Sequence, residues 1–367
     1  MRTTISRSAL ALAASALLLS ACGSSGGAAP SSSGPISPTA VPSTFAPTTV
    51  TLLTHDSFAL TEQLLTDFEK KSGITVKVVT GGDAGELVNK AALTAGNPEG
   101  DVLFGVDNTL LSRALEAGVF VPYVSAAAAA VPDALKTATE DSVTPVDYGD
   151  VCINVDDSWF ADKGIPVPTT LDQLVEPAYK DLLVVENAAT SSPGLAFLLA
   201  TIATYGEDGY EDYWAKLRAN GVKVVNGWTE AYEGEYTVGG KGSRPLVVSY
   251  ASSPPAEIVY ASDPKPTRPA SSVMQVSCFR QVEYAGVLRG TSNPDAARAV
   301  VDWLLSPEVQ ADVPLSMFVF PAVDGTPLPE VFDQWAARPI APLTLDPGQI
   351  DASRTDWVDA WDQVTLR

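Results

Sequence analysis

The sequence is poor in the residues from which metal and nucleic-acid sites are built. It contains one histidine and three cysteines among 367 residues, which excludes sites made of several imidazoles and four-thiolate zinc clusters. Basic residues are also scarce, 23 against 44 acidic ones, so the formal net charge is −21. Such a chain repels phosphate backbones, and we therefore expect cationic ligands rather than nucleic acid.

Long apolar runs are missing as well, apart from a short one near the N-terminus. Arg2 and Arg7 precede an apolar run over 9–19, about half the length that a bilayer-spanning helix needs, and this order is typical of a secretory signal. The run ends in a Leu-Ser-Ala-Cys sequence that resembles a bacterial lipobox. We predict a signal peptide over 1–21 and a lipid anchor on Cys22, which would hold the exported protein at the outer face of the cytoplasmic membrane. An ordinary cleavage site is the alternative.

The residues that follow Cys22 cannot form a core. Glycine, serine, alanine, proline and threonine dominate 22–48, and no charged residue occurs there. This composition predicts a flexible tether. The rest of the chain is long enough for two lobes of ordinary size, and its share of hydrophobic residues, 46% overall, is sufficient for a folded core.

Two cysteines remain in the exported part, Cys152 and Cys278. An even pair outside the cytosol is a disulfide candidate. Two buried thiols are the alternative interpretation of the same pair.

Hydrophobic periodicity predicts alternating strands and helices. Apolar or alternating segments indicate strands at 50–54, 74–79, 101–106, 151–155, 182–186, 222–225, 245–249 and 274–284. Helical spacing indicates helices at 60–71, 85–95, 109–117, 194–205, from 293 onward, and at 347–364. This alternation favours an α/β fold of two lobes joined by more than one crossover.

Enzyme motifs fit the sequence poorly. We find no Gly-x-Ser-x-Gly elbow, no phosphate loop and no dinucleotide-binding glycine turn after the first strand. The lone His55 has no serine on the strained turn that a hydrolytic nucleophile needs. Paired carboxylates of the glycosidase type are too common in so acidic a chain to be judged by counting. We expect a protein that is not an enzyme, with a secreted cell-wall hydrolase as the enzymatic alternative.

Polar and aromatic residues cluster where predicted strands end, which is where open α/β sheets bind ligands. Aromatic faces attract a flat cation by ~0.5–2 kcal/mol each, and a carboxylate balances its positive charge. Asp107, in one such cluster, is expected to cap the following helix instead. The clusters contain His55, Asp83, Asp107, Asp147, Tyr148, Thr190, Ser191, Ser192, Trp228, Tyr232 and Tyr250.

In this order and spacing, these motifs resemble the thiamine-binding receptors of bacterial ABC importers. The resemblance extends from about residue 50 to the end of the chain and includes Asp-Ala-Ala-Arg-Ala at 295–299, Ser-Pro at 306–307 and Phe-Pro at 320–321. It implies a two-lobed periplasmic-binding-protein fold of the second topological class. The implied lobes are 49–148 plus 276–367, and 149–275.

The resemblance also implies a function and partners. The protein would capture thiamine and its phosphates and deliver them to a membrane permease and ATPase. It would work as a monomer, without cofactor, metal or catalysis. The lobes would close by a hinge motion in the crossover strands.

Site residues follow from the resemblance position by position. Asp83 matches a ligand-facing acid, Trp228 a stacking tryptophan and Tyr250 the tyrosine after a strand of the second lobe. Thr190, Ser191 and Ser192 match the family's hydroxyl-rich turn, which is expected near the hydroxyethyl or phosphate end of the ligand. The implied ligand-binding residues are His55, Asp83, Asp147, Tyr148, Thr190, Ser191, Ser192, Trp228, Tyr232 and Tyr250.

Two positions depart from the family pattern. His55 stands where the family has a tyrosine, and Ala256 stands where it has a second one. Tyr260, one helical turn further on, is a candidate replacement for the lost aromatic wall.

Two other ligands fit the same fold. Tyrosines at 148, 232 and 250 with a carboxylate suit ferric iron. A polyamine would use acids and aromatic faces equally well.

Overall fold

The computed structural model of the protein describes residues 43–137 and 141–367. The predicted signal peptide, the predicted lipid anchor on Cys22 and most of the predicted tether lie outside these residues. The last part of the tether is already attached to the folded body. The amide of Phe45 donates to the carbonyl of Ser72 at 2.7 Å, and the first strand begins at Thr48.

The strands of the described chain form one mixed sheet in the order β2-β1-β3-β8-β4-β7-β5-β6, with β9 paired to β4. β1 pairs in parallel with β2 and β3, and β5 pairs in parallel with β6 and β7, as expected for strands joined by helices. The strands are β1 Thr48–Thr54, β2 Ile74–Thr80, β3 Val102–Asp107, β4 Thr144–Asp156, β5 Leu183–Glu186, β6 Lys223–Val225, β7 Leu246–Tyr250, β8 Ser271–Val287 and β9 Phe320–Pro321.

Helices follow the strands at nearly the predicted places, and several begin at a residue whose side chain caps them. Asp83, Ser191 and Asp346 each accept a hydrogen bond from a backbone N–H of the first turn. The helices are α1 Glu62–Ser72, α2 Ala84–Leu93, α3 Leu111–Glu116, α4 Asp157–Lys163, α5 Ser192–Tyr205, α6 Tyr210–Ala219, α7 Ala256–Val259, α8 Pro294–Leu304, α9 Pro307–Ser316, α10 Glu330–Trp335 and α11 Pro347–Thr365.

The C-terminal helix α11 docks on the body through its apolar face, as its spacing predicts. Trp357 and Trp361 are buried, and the ring of Trp361 meets that of Trp214 edge-on at 5.5 Å. Within 43–137 and 141–367, no helix combines the length and the apolar character needed to cross a bilayer.

Two long strands, β4 and β8, run through both halves of the sheet. β8 pairs with β3 at one end, β4 pairs with β7 at the other, and the two pair with each other in between. We call the part built on β1–β3 the first lobe and the part built on β5–β7 the second lobe. Both crossing strands are longer than predicted, because a strand that passes from one lobe to the next changes neighbours without ending.

The disulfide candidate lies at a break in this shared ladder. The register between β4 and β8 shifts from Val151 to Ile153, and there the structure joins Cys152 to Cys278, 126 positions apart, by a disulfide. Closing a loop of that length stabilises by up to about 5 kcal/mol in the chain-entropy model. The crosslink therefore ties together the two strands that connect the lobes.

Candidate functional site

A cavity of about 1490 Å³ opens between the two lobes. Ordinary small-molecule pockets measure about 300–1,000 Å³, so the space is ample for a vitamin-sized ligand. Six of the ten predicted ligand residues line it: His55, Asp83, Ser192, Trp228, Tyr232 and Tyr250.

The second lobe contributes an aromatic wall, which we define as Trp228, Tyr232 and Tyr250. The rings of Trp228 and Tyr232 stack at 4.9 Å between centroids with 11° between their planes. The two residues are four apart in one helical segment, which begins at Trp228 and continues as a π-helical turn over 230–235, and this spacing puts them on one side. The indole Nε1 of Trp228 donates to Ser249 Oγ at 2.9 Å, which fixes the ring's orientation. Tyr250 fits beside β4 because residue 149 is glycine; a Cβ there would lie 2.7 Å from the tyrosine ring.

The first lobe contributes a charged wall, which we define as His55, Asp83 and Glu283. His55 Nε2 lies 3.4 Å from Glu283 Oε1 in an ion pair that is almost shielded from solvent. Burial lowers the pKa of His55, but the Glu283 carboxylate raises it more, so it lies above the ordinary 6.5. The ring comes this close to β3 because residue 105 is glycine, whose Cβ would meet His55 Cδ2 at 2.4 Å.

The carboxylate of Asp83 is hydrogen-bonded to backbone amides. One carboxylate oxygen accepts from the amide of Ala84 at 2.6 Å and from that of Ser192 at 3.2 Å, and the other accepts from the amide of Trp228 at 2.9 Å. Burial raises the pKa of Asp83, and these hydrogen bonds hold part of that rise back. Asp83 therefore reaches the cavity with both oxygens already engaged.

Further carboxyl groups lie behind the charged wall. Asp147 faces Glu283 across the β4–β8 ladder; burial and the Glu283 carboxylate raise the pKa of Asp147 well above its usual range. Burial tends to raise the pKa of Glu283, but the neighbouring His55 lowers it more, so the pKa lies below the ordinary 4.5. Burial raises the pKa of Asp107 to about 6. Asp107 was expected to cap the following helix, but its carboxylate accepts from the amides of Thr109 and Leu110 in the turn before α3, which begins without a side-chain cap. Glu283 is thus the charged carboxylate of the wall that faces a side chain instead of backbone amides.

The structure places the other four predicted residues away from the described cavity lining. Adjacent residues of a strand point to opposite faces, so Asp147 is buried behind the charged wall while Tyr148 stacks on Phe320 at 5.4 Å. The hydroxyl of Thr190 donates to the Asn226 carbonyl at 2.6 Å. The hydroxyl of Ser191 caps α5.

Several lining residues were missed by sequence reasoning. Gln281 and Glu283 lie two apart on β8 and line the cavity. Two polar residues at strand spacing inside a buried apolar run are the signal that would have found them.

Ala256 and Tyr260, the departure from the family pattern and its candidate replacement, both line the cavity. The Tyr260 ring lies 5.5 Å from that of Phe318.

The described residues hold no group of three or more histidine, cysteine or acidic side chains placed to bind a metal ion. The three tyrosines proposed for iron are also divided. Tyr232 and Tyr250 line the cavity, whereas Tyr148 packs on Phe320 below the Arg280 guanidinium, which lies 5.2 Å from its ring.

Comparison with known proteins places this arrangement in a family. Residues 54–311 match the bacterial extracellular solute-binding proteins. The chain belongs to this family. This solute-binding protein is 31% identical to a thiamine-binding periplasmic protein of Salmonella typhimurium strain LT2, over 88% of its own length and 95% of the relative's.

Solved structures show the same fold. A periplasmic thiamin-binding protein superposes with a TM-score of 0.76 at 28% identity, over 87% of this chain and 96% of the other. An iron-bound binding protein from Pseudomonas aeruginosa superposes with a TM-score of 0.68 at 20% identity, over 87% of this chain and 99% of the other. At that identity it informs the fold alone. The predicted two-lobed α/β periplasmic-binding-protein fold is confirmed, and the family is one of receptors that bind solutes outside the cytoplasm.

Proposed function

We propose that this solute-binding protein captures thiamine and its phosphates outside the cytoplasm and delivers them to an ABC permease and its ATPase. One observation carries the proposal: a stacked Trp228–Tyr232 pair and the carboxyl group of Glu283 line the same interlobe cavity. The thiamine-binding names of its relatives support the same conclusion.

The chemistry of the cavity suits a flat, cationic, two-ring ligand. Each aromatic face attracts a cation by ~0.5–1 kcal/mol at an exposed site and by about 2 kcal/mol when water is excluded. The thiazolium ring of thiamine carries the positive charge, and its pyrimidine ring offers a second stacking surface. Ala256, which stands where the family has a tyrosine, and Tyr260 both line the cavity.

The proposed receptor acts without catalysis, cofactor or resident metal, and as a monomer. Its place of action follows from the N-terminal sequence. The signal peptide exports it, and lipidation of Cys22 holds it at the outer face of the cytoplasmic membrane through acyl chains that each bury many methylenes. Mass spectrometry of the mature protein tests the anchor, because an unmodified Cys22 would contradict it.

Native mass spectrometry of the protein as purified tests the ligand. We expect an adduct with the mass of thiamine or one of its phosphates. A thermal-shift panel with thiamine, ferric citrate and spermidine should then show stabilisation by thiamine. A larger shift with ferric citrate or spermidine would replace thiamine with that ligand, and turnover of a model ester or glycoside would support a hydrolase instead.

A further inference from the structure

Beside the cavity, the start of α2 in the first lobe meets two loops of the second lobe. Asp83 accepts hydrogen bonds from the amide of Ser192 at 3.2 Å and from that of Trp228 at 2.9 Å. The amide of Glu86 donates to the carbonyl of Thr190 at 3.2 Å. Three backbone groups of the second lobe are therefore bound by one turn of the first.

The side chain of Ser192 is held from the same direction. Its hydroxyl donates to the carboxylate of Asp107 at the end of β3 and accepts from Gln281 Nε2 on β8 at 2.6 Å. Ser192 and Asp107 are both buried. The hydroxyl is thus engaged by protein groups on both sides.

The sheet order shows that these contacts are made across the cleft. β2, which leads into Asp83, is at one end of the sheet, and β5, which leads into Ser192, is separated from it by β1, β3, β8, β4 and β7. In a flat sheet with neighbours ~4.8 Å apart, such strands would lie about 29 Å from each other. The hydrogen bonds exist because the two lobes fold towards each other over the cavity.

Gly85 is required for this approach. A Cβ at residue 85 would lie 2.5 Å from the carbonyl oxygen of Thr190 and 2.6 Å from its carbonyl carbon. Both are backbone atoms, which cannot rotate away from the clash as a side chain could. Within α2 itself a glycine is a poor helix residue compared with alanine, so the first lobe alone gives no reason for it.

We propose that Asp83, Gly85, Asp107 and Ser192 form an interlobe clasp that holds the two lobes closed over the bound ligand. They act as positioning residues, which set the lifetime of the closed state without contributing the stacking surface. The ligand arm of the test below rests on the proposed function, whereas the ligand-free arm does not.

The distance between the lobes measures the clasp directly. Two dyes attached through azide-bearing residues at the exposed positions Lys77 on β2 and Lys216 on α6 report closure by single-molecule energy transfer. Gly85→Ala and Ser192→Ala are the test variants. Gly234→Ala is the matched control, because a Cβ there meets no atom within 4 Å.

Without ligand, we expect Gly85→Ala and Ser192→Ala to reduce the ratio of closed to open molecules at least tenfold relative to the wild type. Gly234→Ala should leave the ratio unchanged. With thiamine, the two clasp variants should release ligand at least tenfold faster with an unchanged association rate. Ser192→Ala keeps the backbone amide and guards against a folding defect of Gly85→Ala.

Closed populations equal to the wild type in both clasp variants, with and without thiamine, would overturn the clasp. So would a wild type that stays open in both conditions. Failure of the proposed function has a different signature: thiamine leaves the wild-type distances and the heat of mixing unchanged, while the ligand-free comparison of variants still decides the clasp.

Discussion

The two walls of the cavity are built on different principles. The aromatic wall consists of Trp228, Tyr232 and Tyr250; the rings of the first two stack on each other, and all three residues line the cavity. The charged wall consists of groups that already have partners in the protein. Asp83 accepts hydrogen bonds from three backbone amides, and Glu283 pairs with His55. The difference shows that aromatic surface can be offered to a ligand at little cost, whereas buried charge must be neutralised or hydrogen-bonded before the ligand arrives.

The largest effect is expected at the charged wall, for Asp83→Asn. The three amides lose a charged acceptor, and hydrogen bonds to charged groups contribute about 1.5–3 kcal/mol each. We expect thiamine affinity to fall about 100-fold, or ~2.7 kcal/mol. Because both oxygens face amides, a neutral thiophene isostere of thiamine should lose a similar factor in calorimetry. A loss confined to the cationic ligand would mean that Asp83 contacts its charge directly, as the family resemblance implies.

At the aromatic wall, Trp228→Ala should weaken thiamine binding at least tenfold, because it removes one stacking face and leaves the ring of Tyr232 without its partner. The matched control is Trp357→Ala on α11, a buried tryptophan outside the cavity lining. That variant should lower the free energy of unfolding by about 3–5 kcal/mol and leave affinity unchanged. Unchanged affinity in Trp228→Ala would remove the indole from the site.

Glu283→Gln separates the two acids of the charged wall. Since the pKa of Glu283 is lowered and the residue lines the cavity, replacing its carboxylate should weaken thiamine binding about tenfold, or ~1.4 kcal/mol, and leave binding of the neutral isostere unchanged. Calorimetry with both ligands at neutral pH checks this. Equal losses for the two ligands would assign Glu283 a structural role.

The smallest expected effect is on stability against pH. Folding raises several pKa values of the charged wall and its surroundings, so the folded state binds protons more tightly than the unfolded one. Asp107, with a pKa raised to about 6, contributes about 1 kcal/mol in this direction between pH 8 and pH 5.5. Glu283, whose pKa is lowered, acts oppositely only below its ordinary value of 4.5. The groups with raised pKa are His55, Asp83, Asp107, Asp147 and Glu186.

Thermal unfolding should therefore occur a few degrees higher at pH 5.5 than at pH 8. Asp107→Asn should flatten part of this dependence. A melting temperature that falls steadily from pH 8 to pH 5.5 would show that these groups are not buried as the charged wall requires.

The sequence predicted the aromatic wall better than the charged one. Trp228, Tyr232 and Tyr250 stand out as aromatics in polar clusters at strand ends, and all three line the cavity. The hydrogen-bond partners of the acidic groups depend on which backbone amides approach them from the other lobe. No local pattern around Asp83 shows that Ser192 and Trp228 will be its partners.

The fold was predictable wherever one element forms by itself. The periodic segments of β1, α1, β2 and α11 were found within a few residues. β4 and β8 were underestimated because their pairing passes from one lobe to the other, and that extent is set by tertiary neighbours. Asp147 and Tyr148 are adjacent on a strand, so their side chains point to opposite faces and could not both reach one cavity. This consequence could have been drawn from the sequence.

The most direct test of the central claim is a calorimetric titration of the protein with thiamine at neutral pH and physiological salt. We expect saturable binding of one thiamine per chain, with a dissociation constant in the micromolar range or tighter. Absence of saturable heat at micromolar concentrations, together with an unchanged melting temperature, would contradict it.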